Sequence, residues 1–449
     1  MTDARLFQFE HRAQTHRLDL EGTLAYLVDD AIAHPLDHSI SHLLAQVLAF
    51  VDSNRSSAAR AGLKVDSLGR ARFSARLSHS VDIGNLTKTE TTQLHTFPEL
   101  NEAFHYQSSQ SHIKQTVASM QARPAPQRTH HVAALHGGRL CVGPFGQAVF
   151  DSEDRYIGGV CRGDGVLFAL CPAQALPAAQ HIDATVVSLC SLWGNGYFHW
   201  MLEVLPKLLL IVQAGYRLAD VDIFLVRQQS VALMEFLSHL GIANNKVLIW
   251  SQLPHLRANR LIVASSLENY DYTAKPPSIL IEPWASRAMH QRFALPRPSA
   301  AKGRRIYIDR EQALMRKVIN NAQVKAALAP YGFEYVALET LGLAQKQELF
   351  ANAEMVVGPA GAGFSNLVLC NPGCAVLIFY QQGFESDSFW SLCNNNQLDH
   401  YHLLCEPSQR FYPSESAGTI NENFLVDIGT LVQTLDFMTT RLSTRRTAR

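Results

Sequence analysis

The strongest constraint on the fold is a regular alternation of strand-like and helix-like segments in the C-terminal part of the chain. After Lys302, the segments RRIYIDR, FEYVAL, EMVVG and AVLIFY are rich in β-branched and aromatic residues, which favours short strands. NAQVKAALAPYG and LAQKQELFANA have helical periodicity, and GFSNLVL predicts a short helix. Strands that alternate with helices predict a parallel sheet covered on both faces. We therefore predict an α/β, Rossmann-like domain over residues 304–410.

A similar alternation precedes this domain. DATVVSL, VDIFLVR, NKVLIW and NRLIVAS predict strands, and VALMEFLSHLG predicts a helix. We place a second Rossmann-like domain at 128–295, with β-hairpin sequence inside it at 138–170. LPRPSAAKG, rich in proline and small residues, predicts a linker at 295–303. Residues 1–127 are interpreted as a largely helical extension, and 411–449 as a C-terminal helix and tail.

Charge and cysteine usage limit the classes of partner and compartment. The chain has 449 residues with 39 basic and 39 acidic side chains, so no global positive field favours nucleic acid. It shows neither a signal-peptide pattern nor an apolar run approaching the ~18 residues that span a bilayer. The eight cysteines form no CxxC pair and are interpreted as buried thiols. We expect a cytoplasmic protein, with peripheral attachment to the inner face of a membrane left open.

Two groups of residues have spacings that could bind metal. His34, His38 and His42 recur every fourth residue, but this spacing alone is also typical of an exposed helix face, so we interpret them as a solvated helix face. Asp220 and Asp222 form an Asp-x-Asp pair, but the pair precedes a predicted strand instead of following one. We therefore expect no metal cofactor.

The segment WGNGYFHWMLEVLPKLLLI places three ionisable residues in apolar surroundings. If residues 197–212 are helical, His199, Glu203 and Lys207 share one face, and Pro206 kinks the helix. One interpretation is a solvent-facing polar stripe. The alternative is a polar cluster that lines a cleft, and four nearby aromatic residues favour it because their exposure would be costly. These aromatic residues are Trp193, Tyr197, Phe198 and Trp200. In such a cleft a histidine paired with a carboxylate can accept a hydroxyl proton, and we place Lys207 at the rim.

Two further segments lie at predicted ends of strands. GPAGAG follows the strand EMVVG, and its glycines allow a ligand to approach backbone amides at a helix start. Arg310 and Arg316 follow the strand RRIYI, at the edge where open α/β sheets bind ligands. Each signal alone is weak, since glycines often serve packing and surface arginines are common. Together at one sheet edge they favour a site for a phosphate or diphosphate.

The order of these three motifs resembles glycosyltransferase family 61 over roughly residues 185–405. The resemblance implies a GT-B architecture, in which two Rossmann-like domains face a cleft. It also implies inverting, metal-independent transfer from a nucleotide sugar to a hydroxyl acceptor. The family includes bacterial enzymes of cell-surface polysaccharide synthesis and enzymes that glycosylate proteins. A glycan or a protein hydroxyl is therefore the expected acceptor.

The resemblance also implies roles for individual residues. His199 and Glu203 match the family's His-x-x-x-Asp/Glu, with His199 as the base and Glu203 orienting it. Donor-binding residues are expected in the two loops of the C-terminal domain. They are Arg310, Arg316, Gly361, Ala362, Gly363, Ser365 and Asn366.

Four positions depart from the family pattern. Ala360 stands where a histidine is usual, Asn321 where a glutamate is usual, and Ile378 lies within the stretch that usually carries a glutamate. Asn195 is also shifted by one residue relative to His199. These departures keep open an alternative, a catalytically silent relative that binds partners in a polysaccharide-assembly complex. A hydrolase is disfavoured because the chain has no G-x-S-x-G motif. The sequence leaves the sugar, the acceptor, the linkage and the oligomeric state open.

The expected diphosphate contacts generate a first prediction. Binding of a nucleotide sugar should be insensitive to EDTA, and Arg310→Ala should weaken it about 10-fold or more, because charge-assisted hydrogen bonds replace a metal. Calorimetry with and without chelator measures both effects. Loss of binding in EDTA that Mn²⁺ or Mg²⁺ restores would instead favour the Asp220 and Asp222 pair.

Overall fold

Two sheets with parallel strands at their centres form the framework of the described residues. The computed structural model describes residues 80–86, 92–100, 104–110, 117–125, 128–143, 146–160, 178–191, 194–267, 278–296, 303–383, 385–408 and 422–447, and short strands at 7–11, 14–18, 63–65, 71–73 and 270–271. The contacts divide the chain into two units. The first comprises 1–100 with 128–268, and the second comprises 101–127 with 269–449. The fold is thus mixed α/β, as the sequence predicts.

The first unit is built on a ten-stranded sheet. The spatial order is β9-β8-β7-β10-β4-β5-β6-β1, with β3 also paired to β10 and β2 paired to β3. The four strands from β9 to β10 run parallel, and β3 and β4 pair with β10 in antiparallel fashion. The strands are β1 Ser80–Asp82, β2 Thr92–Phe97, β3 His130–His136, β4 Arg139–Gly143, β5 Gly146–Phe150, β6 Tyr156–Gly158, β7 Gln180–Ser188, β8 Ile223–Val226, β9 Val247–Ile249 and β10 His255–Ala264.

The second unit is built on a six-stranded sheet in the order β12-β11-β13-β14-β15-β16. The first five strands are parallel, and only β16 is antiparallel. Every residue of β13 and β14 is buried, which explains why their sequences are nearly continuous apolar runs. The strands are β11 Arg304–Ile308, β12 Phe333–Val336, β13 Ala353–Pro359, β14 Ala375–Gln381, β15 Asp399–Pro407 and β16 Phe424–Leu425.

Helices connect the parallel strands, as predicted for both alternating regions. Gly332 adopts a left-handed conformation, with φ of 73°, directly after a 3₁₀ turn at Ala329–Tyr331, so the predicted helix stop at this glycine is confirmed. A longer 3₁₀ segment, Ala362–Leu369, follows β13. The α-helices are α1 Tyr197–His199, α2 Leu205–Gln213, α3 Val231–His239, α4 Pro283–Phe293, α5 Asn321–Leu328, α6 Leu343–Ala351, α7 Ser388–Asn395 and α8 Ile428–Thr447.

The strand order of the second sheet places two loops side by side. From β11 the chain moves first to β12 on one side and then to β13 on the other. The loops that leave the carboxyl ends of β11 and β13 therefore flank the point where the order reverses. In open α/β sheets this is the position at which ligands bind.

Some predicted boundaries differ from the observed packing, and others fall outside the described residues. Helix α4, assigned from the sequence to the 128–295 domain, packs in the second unit, where His290 Nδ1 lies 2.9 Å from the carbonyl oxygen of Val368. The helix predicted after Pro35, with its three histidines, lies outside the described residues, as does most of the 295–303 linker. The described parts of 1–127 form strands and 3₁₀ turns.

Two predictions about composition can be compared with the described residues. The six cysteines among them are all buried free thiols, as the sequence predicts. No described helix combines the length and apolarity needed to cross a bilayer.

A serine bridges two buried histidines in the second unit. Ser109 belongs to the segment 104–110, and both histidines belong to β15. Ser109 Oγ lies 2.8 Å from Nδ1 of His400 and 2.7 Å from Nδ1 of His402. Because one hydroxyl has one proton, Ser109 donates to one ring and accepts from the other. Burial, and then His402, lowers the pKa of His400 well below its ordinary value. The cluster therefore joins this segment to β15 at a place where burial disfavours the charged form of His400.

This burial generates a second prediction. Unfolded His400 regains an ordinary pKa near ~6.5, so the unfolded state binds more protons below that pH and the free energy of unfolding falls by about 2 kcal/mol between pH 7 and pH 5. Urea unfolding at both pH values should show a smaller fall for His400→Asn. The exposed His181, changed to Asn, serves as the control. An unchanged pH dependence in His400→Asn would contradict the prediction.

Candidate active site

The segment 197–213 forms a continuous helical path with one widened turn. Helix α1 passes into a π-helical turn at Trp200–Val204, closed by a hydrogen bond from the Leu205 amide to the Trp200 carbonyl, and α2 follows. We call 197–213 the site helix. Pro206 follows the π-turn by two residues. In a regular α-helix its ring would clash with the backbone carbonyl of the residue four positions earlier. The expected irregularity at Pro206 is thus a π-turn, a feature frequent at functional sites.

The π-turn includes one member of a histidine–carboxylate pair. His199 Nδ1 lies 3.0 Å from Glu203 Oε1. The Glu203 side chain is 2% exposed and the His199 side chain 21% exposed, so the carboxylate is buried and the ring reaches solvent. Phe198 packs edge-on against the imidazole with ring centroids 5.0 Å apart. If the neutral ring carries its proton on Nδ1 and donates a hydrogen bond to Glu203, Nε2 is a hydrogen-bond acceptor. This is the arrangement of a general base.

Lys207 is not at the rim, and this part of the sequence interpretation is wrong. It is only 5% exposed, and its Nζ donates a hydrogen bond of 2.8 Å to Ser191 Oγ. Ser191 lies in the loop that leaves β7, and it is itself 3% exposed. The π-turn and Pro206 do not turn the chain out of the core, because six of the nine residues of α2 are buried. The solvent-facing stripe is therefore excluded for Glu203 and Lys207.

Arg310 packs directly on the glycine turn after β13. A Cβ atom on Gly361 would lie 2.5 Å from Nη1 and 2.8 Å from Cζ of Arg310, so only glycine leaves room for the guanidinium. Arg310 Nη2 also donates a hydrogen bond of 3.4 Å to the Met315 carbonyl. Burial lowers the pKa of Arg310 below its ordinary value, and the charge of Glu339 acts in the opposite direction. The predicted proximity of the Arg310 loop and the GPAGAG turn is thus observed.

Arg316 lies beside Arg310 in an unusual backbone conformation. Its φ is 57°, in the left-handed region that non-glycine residues rarely adopt. Burial lowers the pKa of Arg316, and the positive charge of Arg310 lowers it further. Neither arginine has a carboxylate within ion-pair distance in the described part of the chain. In both, the buried Nε likewise has no hydrogen-bond acceptor among those residues. Two half-buried guanidinium groups of this kind have the charge and hydrogen-bond donors that an anion such as a phosphate would require.

The remaining residues of the turn support its backbone. Asn366 is fully buried and its Nδ2 donates a hydrogen bond of 2.8 Å to the Gly363 carbonyl. A Cβ on Gly363 would lie 2.9 Å from Leu338 Cδ1, so this glycine permits close packing. Ser365 is fully buried, and its hydroxyl has no hydrogen-bond partner among the described residues. Ala362 begins the 3₁₀ segment at the end of β13.

Both residues of the Asp-x-Asp pair lie close to groups of the first unit. Asp222 Oδ2 accepts a hydrogen bond of 2.8 Å from the Thr185 amide, and Asp220 lies 3.8 Å from Arg217. In the portion of the chain that the structure describes, no three His, Cys, Asp or Glu side chains are grouped as metal ligands.

The match to a protein family covers both the site helix and the loops that carry Arg310 and the GPAGAG turn. Residues 197–377 match the Glycosyltransferase 61 family, a span that begins at the site helix and ends within β14. The chain carries a glycosyltransferase family 61 domain. This domain supports glycosyltransferase activity and includes His199, Glu203, Arg310, Arg316 and the GPAGAG turn. A comparison with individually curated proteins finds no match.

The departures of this glycosyltransferase 61 domain have local structural roles. Asn321 Oδ1 accepts a hydrogen bond from the Tyr307 hydroxyl, and its Nδ2 donates to Asp309 Oδ1. Ile378 is fully buried in the centre of β14, and the Ala360 amide donates to the Phe379 carbonyl. Asn321, at the start of α5, thus links that helix to the carboxyl end of β11, and Ile378 is a core residue of β14. The sequence analysis did not predict the contact between Lys207 and Ser191. The apolar neighbours of the lysine in LPKLLLI were a signal that it could be buried.

The strained arginine of the glycosyltransferase 61 domain generates a third prediction. Arg316→Gly should retain or raise the unfolding midpoint, because glycine adopts φ of 57° without strain and one of two repelling charges is removed. It should weaken binding of a nucleoside diphosphate about 10-fold or more, because charge-assisted hydrogen bonds are lost. Thermal unfolding and calorimetric titration measure the two effects.

Gln397→Gly provides the matched control for this prediction. Gln397 is exposed and has φ of 56°, so its replacement relieves the same backbone strain away from the site. Binding should be unchanged in this control. A loss of stability in Arg316→Gly without a loss of diphosphate binding would assign Arg316 a structural role.

Proposed function

We propose that this protein is an inverting glycosyltransferase that transfers a sugar from a nucleotide-sugar donor to a hydroxyl of a glycan or protein. The observation that carries the proposal is the pair of half-buried guanidinium groups at the reversal point of the second sheet, with Arg310 seated on Gly361. We further propose a GT-B arrangement, cytoplasmic location, and a role in cell-surface polysaccharide synthesis or protein glycosylation.

The donor half of the proposal rests on charge. A nucleotide sugar carries a diphosphate, and an anion of this kind stabilises two half-buried guanidinium groups that form no ion pair with a carboxylate among the described residues. The backbone amides at Ala362 and Gly363 begin the 3₁₀ segment and are close to the Arg310 guanidinium through Gly361. Together they can supply the donors that a departing diphosphate requires. This supports transfer without a metal.

The acceptor half rests on the pair in the first unit. The His199 ring is partly exposed while its Nδ1 lies 3.0 Å from Glu203, and a neutral ring with its proton on Nδ1 can accept a hydroxyl proton at Nε2. Inversion takes place in one displacement. The acceptor oxygen loses its proton to His199 and bonds to the anomeric carbon, while the bond from that carbon to the diphosphate breaks and its electron pair leaves with the diphosphate. The resulting imidazolium is stabilised by Glu203.

A catalytically silent relative is the alternative, and the intact pair argues against it. A chain without catalysis has no reason to keep a buried carboxylate within 3.0 Å of a partly exposed imidazole, because burying a carboxylate is costly. The replacement Asn321 bonds to Tyr307 and Asp309, and Ile378 is a core residue of β14, so neither by itself removes a base or a cation.

The fourth prediction tests this proposal. A panel of nucleotide sugars is screened first by thermal shift, because a ligand that binds only the folded state raises the unfolding midpoint. The stabilising donor is then assayed for transfer to hydroxyl acceptors. His199→Ala should reduce kcat by about 10²-fold or more while donor binding and the midpoint stay near those of the wild type, since His199 acts as base in the first unit.

The control is His239→Ala, which removes an exposed imidazole from the end of α3 in the same unit. It should leave turnover unchanged. Absence of stabilisation by every nucleotide sugar would favour the silent relative. Full turnover in the folded His199→Ala protein would show that His199 is a structural histidine.

A further inference from the structure

We propose that Leu314 and Met315 pack on the nucleobase of the donor when its diphosphate binds Arg310 and Arg316. All four residues belong to the loop between β11 and α5, and we call residues 309–319 the arginine loop. The inference rests on the proposed function, because the nucleotide-sugar donor supplies both the diphosphate and the base. It assigns a contact to the part of the donor that positive charge alone does not recognise.

The tip of the arginine loop exposes apolar side chains. Leu314 is 93% exposed and Met315 is 37% exposed. Among the described residues seven large apolar side chains are exposed, and three of them lie in this one loop, the third being Ile319. Apolar residues scattered singly over a surface are ordinary, whereas a local group of them is typical of a contact surface. A ligand that removes Leu314 from water therefore gains free energy of binding.

Backbone contacts tie this tip to the candidate anion site. The Ala313 amide donates a hydrogen bond of 2.9 Å to the Arg310 carbonyl, and Arg310 Nη2 donates one of 3.4 Å to the Met315 carbonyl. The same guanidinium packs against Gly361. Leu314 and Met315 thus lie between the two arginines in sequence, and the backbone of Met315 contacts one of them in space. A ligand bound to this guanidinium is therefore next to the tip.

The two ends of the arginine loop are fixed, and its tip is free to adjust. At the start, the Asp309 amide donates a hydrogen bond to the Val336 carbonyl of β12. At the end, the Ile319 amide donates one to the Phe424 carbonyl of β16. In the part of the chain that the structure describes, the backbone of 312–316 makes only the two bonds within the loop that are given above. The tip can therefore move onto a ligand without breaking the bonds that hold the loop to the sheet.

The chemistry of the tip fits the base better than the rest of the donor. The diphosphate is charged, and the ribose and the transferred sugar present hydroxyl groups, so none of these gains much from contact with apolar side chains. A nucleobase has an aromatic face, on which leucine buries apolar surface and the methionine thioether packs favourably. The base is joined to the diphosphate through the ribose alone, so it stays close to the groups that bind the diphosphate.

The fifth prediction compares the affinities of the full-length wild type, Leu314→Ser and Met315→Ser for two kinds of probe. The probes are inorganic pyrophosphate and the diphosphates of uridine, thymidine, cytidine and guanosine, each titrated by calorimetry. The nucleoside diphosphate that the wild type binds most tightly should bind Leu314→Ser about 5- to 10-fold more weakly, because an apolar contact is lost. Pyrophosphate has no base, so its affinity should be the same in both proteins. Leu314→Met should restore the affinity for the nucleoside diphosphate.

Two control variants separate the tip from the charge of the loop and from general surface effects. Ile319→Ser removes a side chain with the same exposed fraction as Met315, 37%, but at the end of the loop that bonds to β16. It should leave both affinities unchanged. Arg310→Ala should weaken pyrophosphate and the nucleoside diphosphate alike. Since Leu314 is almost fully exposed, Leu314→Ser should keep the wild-type unfolding midpoint.

A second readout is independent of both affinity and transfer. Brief treatment with hydrogen peroxide converts exposed methionines to the sulfoxide, which mass spectrometry locates in the chain. The saturating nucleoside diphosphate should slow the oxidation of Met315 more than saturating pyrophosphate does, because only the base covers the tip. Met355 and Met438 are fully buried and serve as internal controls.

The inference is overturned if Leu314→Ser and Met315→Ser bind the nucleoside diphosphate as tightly as the wild type. It is equally overturned if the wild type binds no nucleoside diphosphate, or binds none more tightly than pyrophosphate. Loss of cosedimentation with phosphatidylglycerol vesicles in Leu314→Ser, with nucleotide binding unchanged, would assign the tip to a lipid surface instead. If nucleotide binding depends on Leu314 but no acceptor receives a sugar, the proposed transfer fails while the inference about the tip stands.

Discussion

The structure depends on one geometric constraint, the crossover that joins two parallel strands. Because each crossover returns the chain to the same starting edge, every loop that leaves a strand end emerges at the opposite, carboxyl edge. In the second unit this brings the loop after β11 next to the turn after β13, so Arg310 meets Gly361 although 50 residues separate them by number. In the first unit the same edge carries the loop with Ser191 and the beginning of the site helix. The topology of each sheet thus determines where these polar residues lie.

The charged side chains at these edges differ in the partners that they contact. The buried Glu203 has an imidazole at 3.0 Å, and among the described residues Lys207 bonds to a hydroxyl at 2.8 Å. Burial lowers the pKa of both Arg310 and Arg316, and the charge of Arg310 lowers the pKa of Arg316 further. Buried and closely spaced charges of this kind are more frequent at functional sites than elsewhere in proteins. The left-handed backbone of Arg316 adds strain at the same place.

Sequence reasoning was most successful where local pattern and packing agree. The strands β11 to β14 are short apolar runs because the sheet buries them on both faces, and Gly332 ends a helix because a left-handed residue is needed there. It was less successful at Lys207. From the sequence, a lysine after a proline resembles a residue at the edge of a cleft, whereas the structure continues α2 into the core past a π-turn. The widened turn depends on hydrogen bonds that no local pattern specifies.

The sequence by itself determined the α/β alternation of both units, the family of the domain and the residue types available for its chemistry. Those properties are local or compositional, because periodicity and motif order are written along the chain. Only the tertiary structure decided that the Arg310 guanidinium lies on Gly361, that His199 reaches solvent while Glu203 does not, and that Lys207 bonds to Ser191. These facts depend on which strands are neighbours and on how much water each side chain meets, and residues distant in sequence decide both.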